Sequence, residues 1–220
     1  MVEGVLVTGF EGYGGRGFNP TAEIAASLDG ECISGLDVVG AVLPVAYETL
    51  SGCLARLLRE HKPRAVICLG LWPGEPTIRL ERFGLNLNDF EIPDNTGALM
   101  RGALEQDGPV ARAATLPLER IHDRLIKAGI PARLSSTAGN FLCNATLYTV
   151  LGMIERETSD TRAGFIHVPY DPRQVAEMLG RVREGANLEL HQRSDLASMA
   201  LETSRKAVRI AIETTLDEPA

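Results

Sequence analysis

Cys143 stands in "STAGNFLCNATLY", where a short β-rich run ending in glycine gives way to apolar residues at helical spacing. A thiol at that turn is either packing or chemistry. Most lone cysteines are small buried hydrophobes. Cys53, inside a helical pattern, and Cys68, inside an apolar run, fit that description, while Cys32 sits in a polar loop without an evident partner. Cys143 differs because a helix start offers unpaired N–H groups and the positive end of the macrodipole, which favour thiolate. A cysteine nucleophile also needs a base, usually histidine, oriented by a third polar group. Of the four histidines, His61 and His122 fall on polar helix faces and His191 in a late loop. His167, in "GFIHVPY", ends an apolar strand; taken alone it reads first as a satisfied core histidine. Glu81, in "RLERFG", would accept the imidazole's other N–H and fix its tautomer, against the plainer reading of a solvated loop acid. Cysteine, histidine and glutamate together would make a hydrolytic set.

The elements that must position these residues follow from the pattern. "GVLVTGF" is a first strand, and "NPTAEIAASLDG" a helix with Asn19 as N-cap, Pro20 in the first turn and Gly30 as the stop. "LDVVGAVLPV" is a second strand, "YETLSGCLARLLREHKP" a second helix, and "RAVICLGL" a strand apolar enough to be buried on both faces. Residues 72–110, rich in Gly, Pro and Asn, form an excursion with short strands suggested in "TIRLERFGLNLND" and "FEIPDNTG". Strand "ARAATLP", helix "LERIHDRLIKAG", strand "ARLSSTAG", the helix after Cys143 and strand "RAGFIHVPY" resume the alternation. A long amphipathic helix over about 194–216, with Ser194 as N-cap, closes the chain and buries Leu196, Met199, Ala200, Ala207, Ile210 and Ala211. This alternation predicts an α/β fold: one domain over 1–220, an open, mostly parallel twisted sheet with helices on both faces. In such sheets, sites form beyond the carboxyl ends of the strands. Cys143, His167, the loop holding Glu81 and the glycine loop are all expected at that edge.

Composition removes several function classes. The 220 residues suffice for one sizeable core without disulfides or metal. A net charge of −7 argues against nucleic-acid or anionic-membrane partners, which want a basic patch. No apolar run approaches the roughly 20 residues of a membrane span, and the N-terminus lacks the marks of a signal peptide. Scattered cysteines and histidines give no zinc spacing, and free thiols suit a reducing, cytoplasmic setting. Gly12, Gly14 and Gly17 satisfy G-x-G-x-x-G between a strand and a helix. However, the acid that a dinucleotide site wants near the end of the second strand stands at its start, as Asp37, and Phe10, Tyr13 and Phe18 would line an apolar pocket instead. No cofactor and no metal are expected.

With these residues assembled, the chain resembles pyroglutamyl peptidase I, the pyrrolidone carboxyl peptidase family, in colinear order from about Val5 to Gln174. The likeness rests on "TGFEGYGGRGFNP", "ERFGLNLNDFEIPDNTG", "STAGNFLCN" and "GFIHVPY". It implies a cytosolic cysteine peptidase that removes N-terminal pyroglutamate from peptides, commonly as a homotetramer. The family's triad falls on Glu81, Cys143 and His167, and its pocket on Phe10, Tyr13, Asn19, Ile92, Phe141 and Leu142.

Three segments depart from the family pattern. Leu71, Trp72, Pro73 and Gly74 stand where the family usually has Gln-Ala-Gly-Gly, Glu91 replaces an arginine, and Gly12-Tyr13 replaces Pro-Phe. Counting Leu71 with the substrate-binding set, the lost amide and the reversed charge predict weakened or redirected pyroglutamyl binding, unless Trp72, Arg79 or Arg82 compensates. A divergent amidase for another small acyl group and a non-catalytic ligand-binding relative remain as alternatives.

Overall fold

The first strand, β1 (Val5–Phe10), is buried along its whole length, as expected of a strand covered on both faces. In this computed structural model, which describes residues 4–15, 17–184 and 197–217, it lies inside a seven-stranded sheet. Helix α1 (Pro20–Leu28) follows, with Asn19 as N-cap and proline in its first turn. Cys32 lies not in a loop but in a short strand, β2 (Cys32–Ile33), that folds back antiparallel on β3 (Leu36–Leu43). Helix α2 (Tyr47–His61) ends in a left-handed Lys62, and β4 (Ala65–Leu71) is buried throughout.

The excursion departs from expectation. Its first strand, β5 (Ile78–Glu81), enters the central sheet antiparallel to the last strand, while β6 (Phe83–Leu85), β7 (Asn88–Asp89) and β8 (Arg101–Gly102) stay outside it. "FEIPDNTG" forms no strand; it is a turn organised by Asp94. Asp94 Oδ2 accepts from Tyr47 N at 2.7 Å, closing the start of α2, which Ala46 cannot cap. The "ARAATLP" strand, β9 (Ala111–Ala113), pairs with β6 rather than joining the central sheet. Helix α3 (Leu118–Lys127), strand β10 (Ala132–Ser135), helix α4 (Leu142–Arg156) and strand β11 (Arg162–Val168) follow in order.

The sheet order is β10-β5-β11-β4-β1-β3-β2. β11, β4, β1 and β3 run parallel; β5 and β10 run together in the opposite sense. Alternation along each strand sorts the core. Val5, Val7, Ile67, Leu69, Ile166 and Val168 face one layer, where α1, α3 and the closing helix pack. Leu6, Val66, Cys68 and Phe165 face the other, under α2 and α4.

Helix α5 (Pro172–Arg183) is an element that the alternation pattern passed over. Its signal was present, since Asp171 Oδ1 accepts from Arg173 N at 2.8 Å ahead of a proline start. The closing helix, α6 (Leu201–Leu216), begins later than about 194; Ser194 and Leu196 lie outside the described residues. Before it, Ser198 bridges to Tyr170. The buried face of α6 is Ser204, Ala207, Val208, Ala211, Ile212, Thr214 and Thr215. Met199, Ala207 and Ala211 are buried as predicted, but Ala200 is exposed, Ile210 is only half-buried, and Val208 and Ile212 complete the face.

Candidate active site

β11 carries His167 on the α2/α4 face of the sheet, two residues beyond Phe165. Its parallel partner in register on β4 is Gly70. A Cβ on Gly70 would lie 2.8 Å from Cys143 Sγ and 2.7 Å from the Phe165 ring. The thiol therefore occupies the space a side chain would fill, directly beside the strand position of His167. Only glycine permits this approach of the sulfur to the backbone.

Cys143 is the second residue of α4, after the N-cap Phe141, which supplies no side-chain cap. Asn144 anchors that first turn. Its amide donates to Leu85 O and Leu87 O, and its carbonyl accepts from Leu85 N at 2.7 Å. One side chain thus ties α4 to the β6 segment and turns the neighbouring thiol toward the sheet.

Glu81 ends β5 and is fully buried. His167 Nδ1 donates to Glu81 Oε1 at 2.8 Å. That bond leaves Nε2 as the nitrogen available for chemistry. Glu81 stands at the carboxyl end of β5 and Cys143 follows that of β10, but those ends are not at the expected edge. β5 and β10 run against the parallel core, so Glu81 approaches along the sheet and Cys143 comes over its face through residues 136–141. His167 and the glycine loop after β1 do sit at the expected edge.

The electrostatics overturn one expectation. Burial and then the Glu81 charge push the Cys143 thiol above its ordinary range, and its own backbone N–H only partly offsets them. Position at a helix start does not win against desolvation here. Burial likewise pulls His167 below 6.5, opposed by the Glu81 hydrogen bond and aided by the Arg79 charge. Both partners are neutral at rest.

The rest of the set divides. Phe10 and Leu142 are buried in the same cluster that Tyr13, Phe141 and Cys143 pack against. The Phe141 ring lies 6.0 Å from Tyr13 and 4.5 Å, edge-on, from Phe90. Ile92 is half-buried in the loop beyond Phe90. Asn19 is engaged at both ends of its side chain, accepting from Thr21 N and donating to Glu11 O. Asn95 bonds Glu11 Oε1 and Gly12 O, tying the turn at 94–97 to the glycine loop. Leu71 is 4% exposed and packs with Tyr170 and Met178, apart from the thiol.

Two neighbours of the imidazole entered the sequence reading only as compensators for Leu71 and Glu91, not as partners of the histidine. Trp72 sits edge-on to His167 with centroids 4.9 Å apart. Arg79 lies 3.6 Å over the Trp72 ring and donates from Nε to Glu81 Oε1 at 3.0 Å. The period of two in "IRLE" puts Arg79 on the face of Glu81, a signal that could have found it.

Known proteins resemble this chain in sequence and in fold. Residues 3–218 match the family model described as pyroglutamyl peptidase. Pyrrolidone-carboxylate peptidase from Pyrococcus furiosus is 39% identical over 215 residues, covering 97% of this chain and 98% of that protein. The Gloeobacter violaceus protein of the same name is 38% identical, covering 97% of each. Among solved structures, pyrrolidone carboxyl peptidase from Thermococcus litoralis superposes with a TM-score of 0.88 at 40% identity, covering 98% of this chain and 94% of that one. A Pyrococcus furiosus mutant superposes at 0.90 with 37% identity, over 98% and 99%. The chain belongs to the pyroglutamyl peptidase family and is a cysteine-type hydrolase.

Proposed function

We propose that this protein removes N-terminal pyroglutamate from peptides, with Cys143 as nucleophile, His167 as general base and acid, and Glu81 orienting the imidazole. The observation that carries the reading is the buried 2.8 Å bond from His167 to Glu81, beside a thiol seated over Gly70.

Because thiol and imidazole are both neutral at rest, His167 Nε2 takes the Sγ proton as sulfur attacks the pyroglutamyl carbonyl carbon. The C–S bond forms and the carbonyl π pair moves onto oxygen, where the Cys143 N–H in the first turn of α4 can donate. Collapse breaks the C–N bond, and the imidazolium proton leaves with the amine. His167 then deprotonates water, which attacks the thioester; the C–S bond breaks and the sulfur regains a proton. Glu81 stabilises the transient imidazolium and holds its tautomer.

Pyroglutamate is a small uncharged lactam, suited to apolar walls with a few placed hydrogen bonds. Tyr13, Phe141 and Phe90 supply such walls, backed by Phe10 and Leu142, with Ile92 from the adjoining loop. Asn19 shapes the glycine loop, whereas Leu71 packs with Tyr170 and Met178 apart from the thiol. Peptides with a blocked N-terminus are the partners proposed. The free thiols and the family resemblance support a cytoplasmic setting, and the resemblance supports a homotetramer.

A panel of fluorogenic amides tests the reading. The pyroglutamyl amide should be the preferred substrate, with kcat/KM of about 10⁴ M⁻¹s⁻¹ or more. Cys143→Ala, His167→Ala and Glu81→Gln should each lower it by about 10²–10⁴. Preference for another acyl group would make the chain a divergent amidase, and no turnover at all a non-catalytic relative.

A further inference from the structure

Arg79 is 6% exposed, and its guanidinium is engaged on every side. Nε donates to Glu81 Oε1, the same oxygen that accepts from His167 Nδ1. Nη1 reaches Glu75 Oε2 at 3.4 Å. Nη2 donates to Ser135 Oγ at 2.7 Å and to Thr137 O at 3.0 Å, the last residue of β10 and the start of the loop that delivers Cys143. Its flat face covers Trp72, whose ring meets the imidazole edge-on.

A buried cation in a fork geometry of this kind fixes several partners at once, which lysine's point charge cannot do. Glu81 depends on it: among the described residues its ion pairs are to Arg79 and His167, and its Oε2 is buried without a partner. We propose that Arg79 is a positioning residue for the reaction, joining the Glu81–His167 pair, the Trp72 wall and the segment leading to Cys143 into one rigid unit. This rests on the triad reading given above. Substrate need not touch it.

The charged and titratable groups facing the imidazole are Glu81 and Arg79 from β5, Glu75 from the preceding loop, and Cys143 from α4, with Cys68 beyond it on β4. Arg133 of β10 pairs with Glu75 at the rim. Arg79 is the cation nearest the imidazole in this group, and its charge works against the imidazolium. Removing that charge should raise the His167 midpoint, while keeping the charge but losing the fork should leave the midpoint and disturb the alignment.

Arg79→Gln and Arg79→Lys separate the two contributions. Both should lower kcat by about 10–10²-fold, the range for misaligned catalytic groups, with KM within a few-fold of wild type. The acid limb of kcat/KM should move to higher pH in Arg79→Gln and stay in place in Arg79→Lys. A histidine-labelled NMR titration should report the same two midpoints for His167. Folded variants with wild-type kcat, or an unmoved limb in Arg79→Gln, would overturn the proposal. So would failure of both variants to fold, since Arg79 would then be structural only. Full activity in His167→Ala would instead remove the triad reading on which the proposal stands.

Discussion

At the scale of single residues, the resting charges of Cys143 and His167 set the pH behaviour. Burial lowers His167, so its neutral form persists below pH 6.5 and the acid limb of kcat/KM should lie under that value. Burial raises Cys143, so its alkylation should keep climbing past pH 9 rather than level off near neutrality. Site-resolved mass spectrometry after timed iodoacetamide treatment measures this. A plateau from about pH 6 would show a preformed thiolate–imidazolium pair. Leu71 offers a second residue-scale prediction. Its side chain fills an apolar cluster with Tyr170 and Met178, so Leu71→Gln buries an amide without a partner there and should cost about 1–3 kcal/mol. A lower melting temperature without a gain in pyroglutamyl kcat/KM is expected; a tenfold gain would mean that the missing family amide mattered. The closeness of Cys143 and His167 was legible in the sequence because one stands at a helix start and the other at a strand end. The raised thiol was not, since desolvation depends on what covers the helix start.

At the scale of elements, the site depends on a strand of glycine and a helix start that nearly touch. Gly70→Ala places a methyl 2.8 Å from Cys143 Sγ and 2.7 Å from the Phe165 ring. Either group must move, so kcat should fall by about 10² or more, with the protein still folded by circular dichroism. Wild-type kcat in that variant would show that the thiol has room to spare. The apolar runs of β1, β4 and β11 made the parallel core legible, because strands buried on both faces need no alternation to be seen. β5 was not legible as a sheet strand. Its four residues sit within a Gly- and Pro-rich stretch, and its antiparallel entry beside β11 is decided by tertiary pairing. The Glu81–His167 bond was therefore foreseen, while the route that brings Glu81 there was not.

At the scale of the molecule, α6 closes the layer opposite the site, packing on α1 and α3 over the sheet. Ile212 is fully buried there, whereas Ile210 is half-buried. Ile212→Asp should destabilise by about 3–5 kcal/mol, as an unpaired buried charge does, and Ile210→Asp by clearly less. Thermal melts of the two variants check the order; equal losses would mean that the helix presents a broader buried face. Periodicity found this helix, yet the register of its core face depends on where its first turn begins, and Ala200 rather than Ser194 marks that point.

The proposed chemistry passes through a covalent step at one sulfur. Rapid acid quenching of the enzyme with a pyroglutamyl ester, followed by intact mass and peptide mapping, observes that step directly. One added pyroglutamyl group is expected, carried on Cys143 and absent in Cys143→Ala. Product formation at the wild-type rate in Cys143→Ala, or an acyl group mapped to Cys32, Cys53 or Cys68 instead, would contradict it.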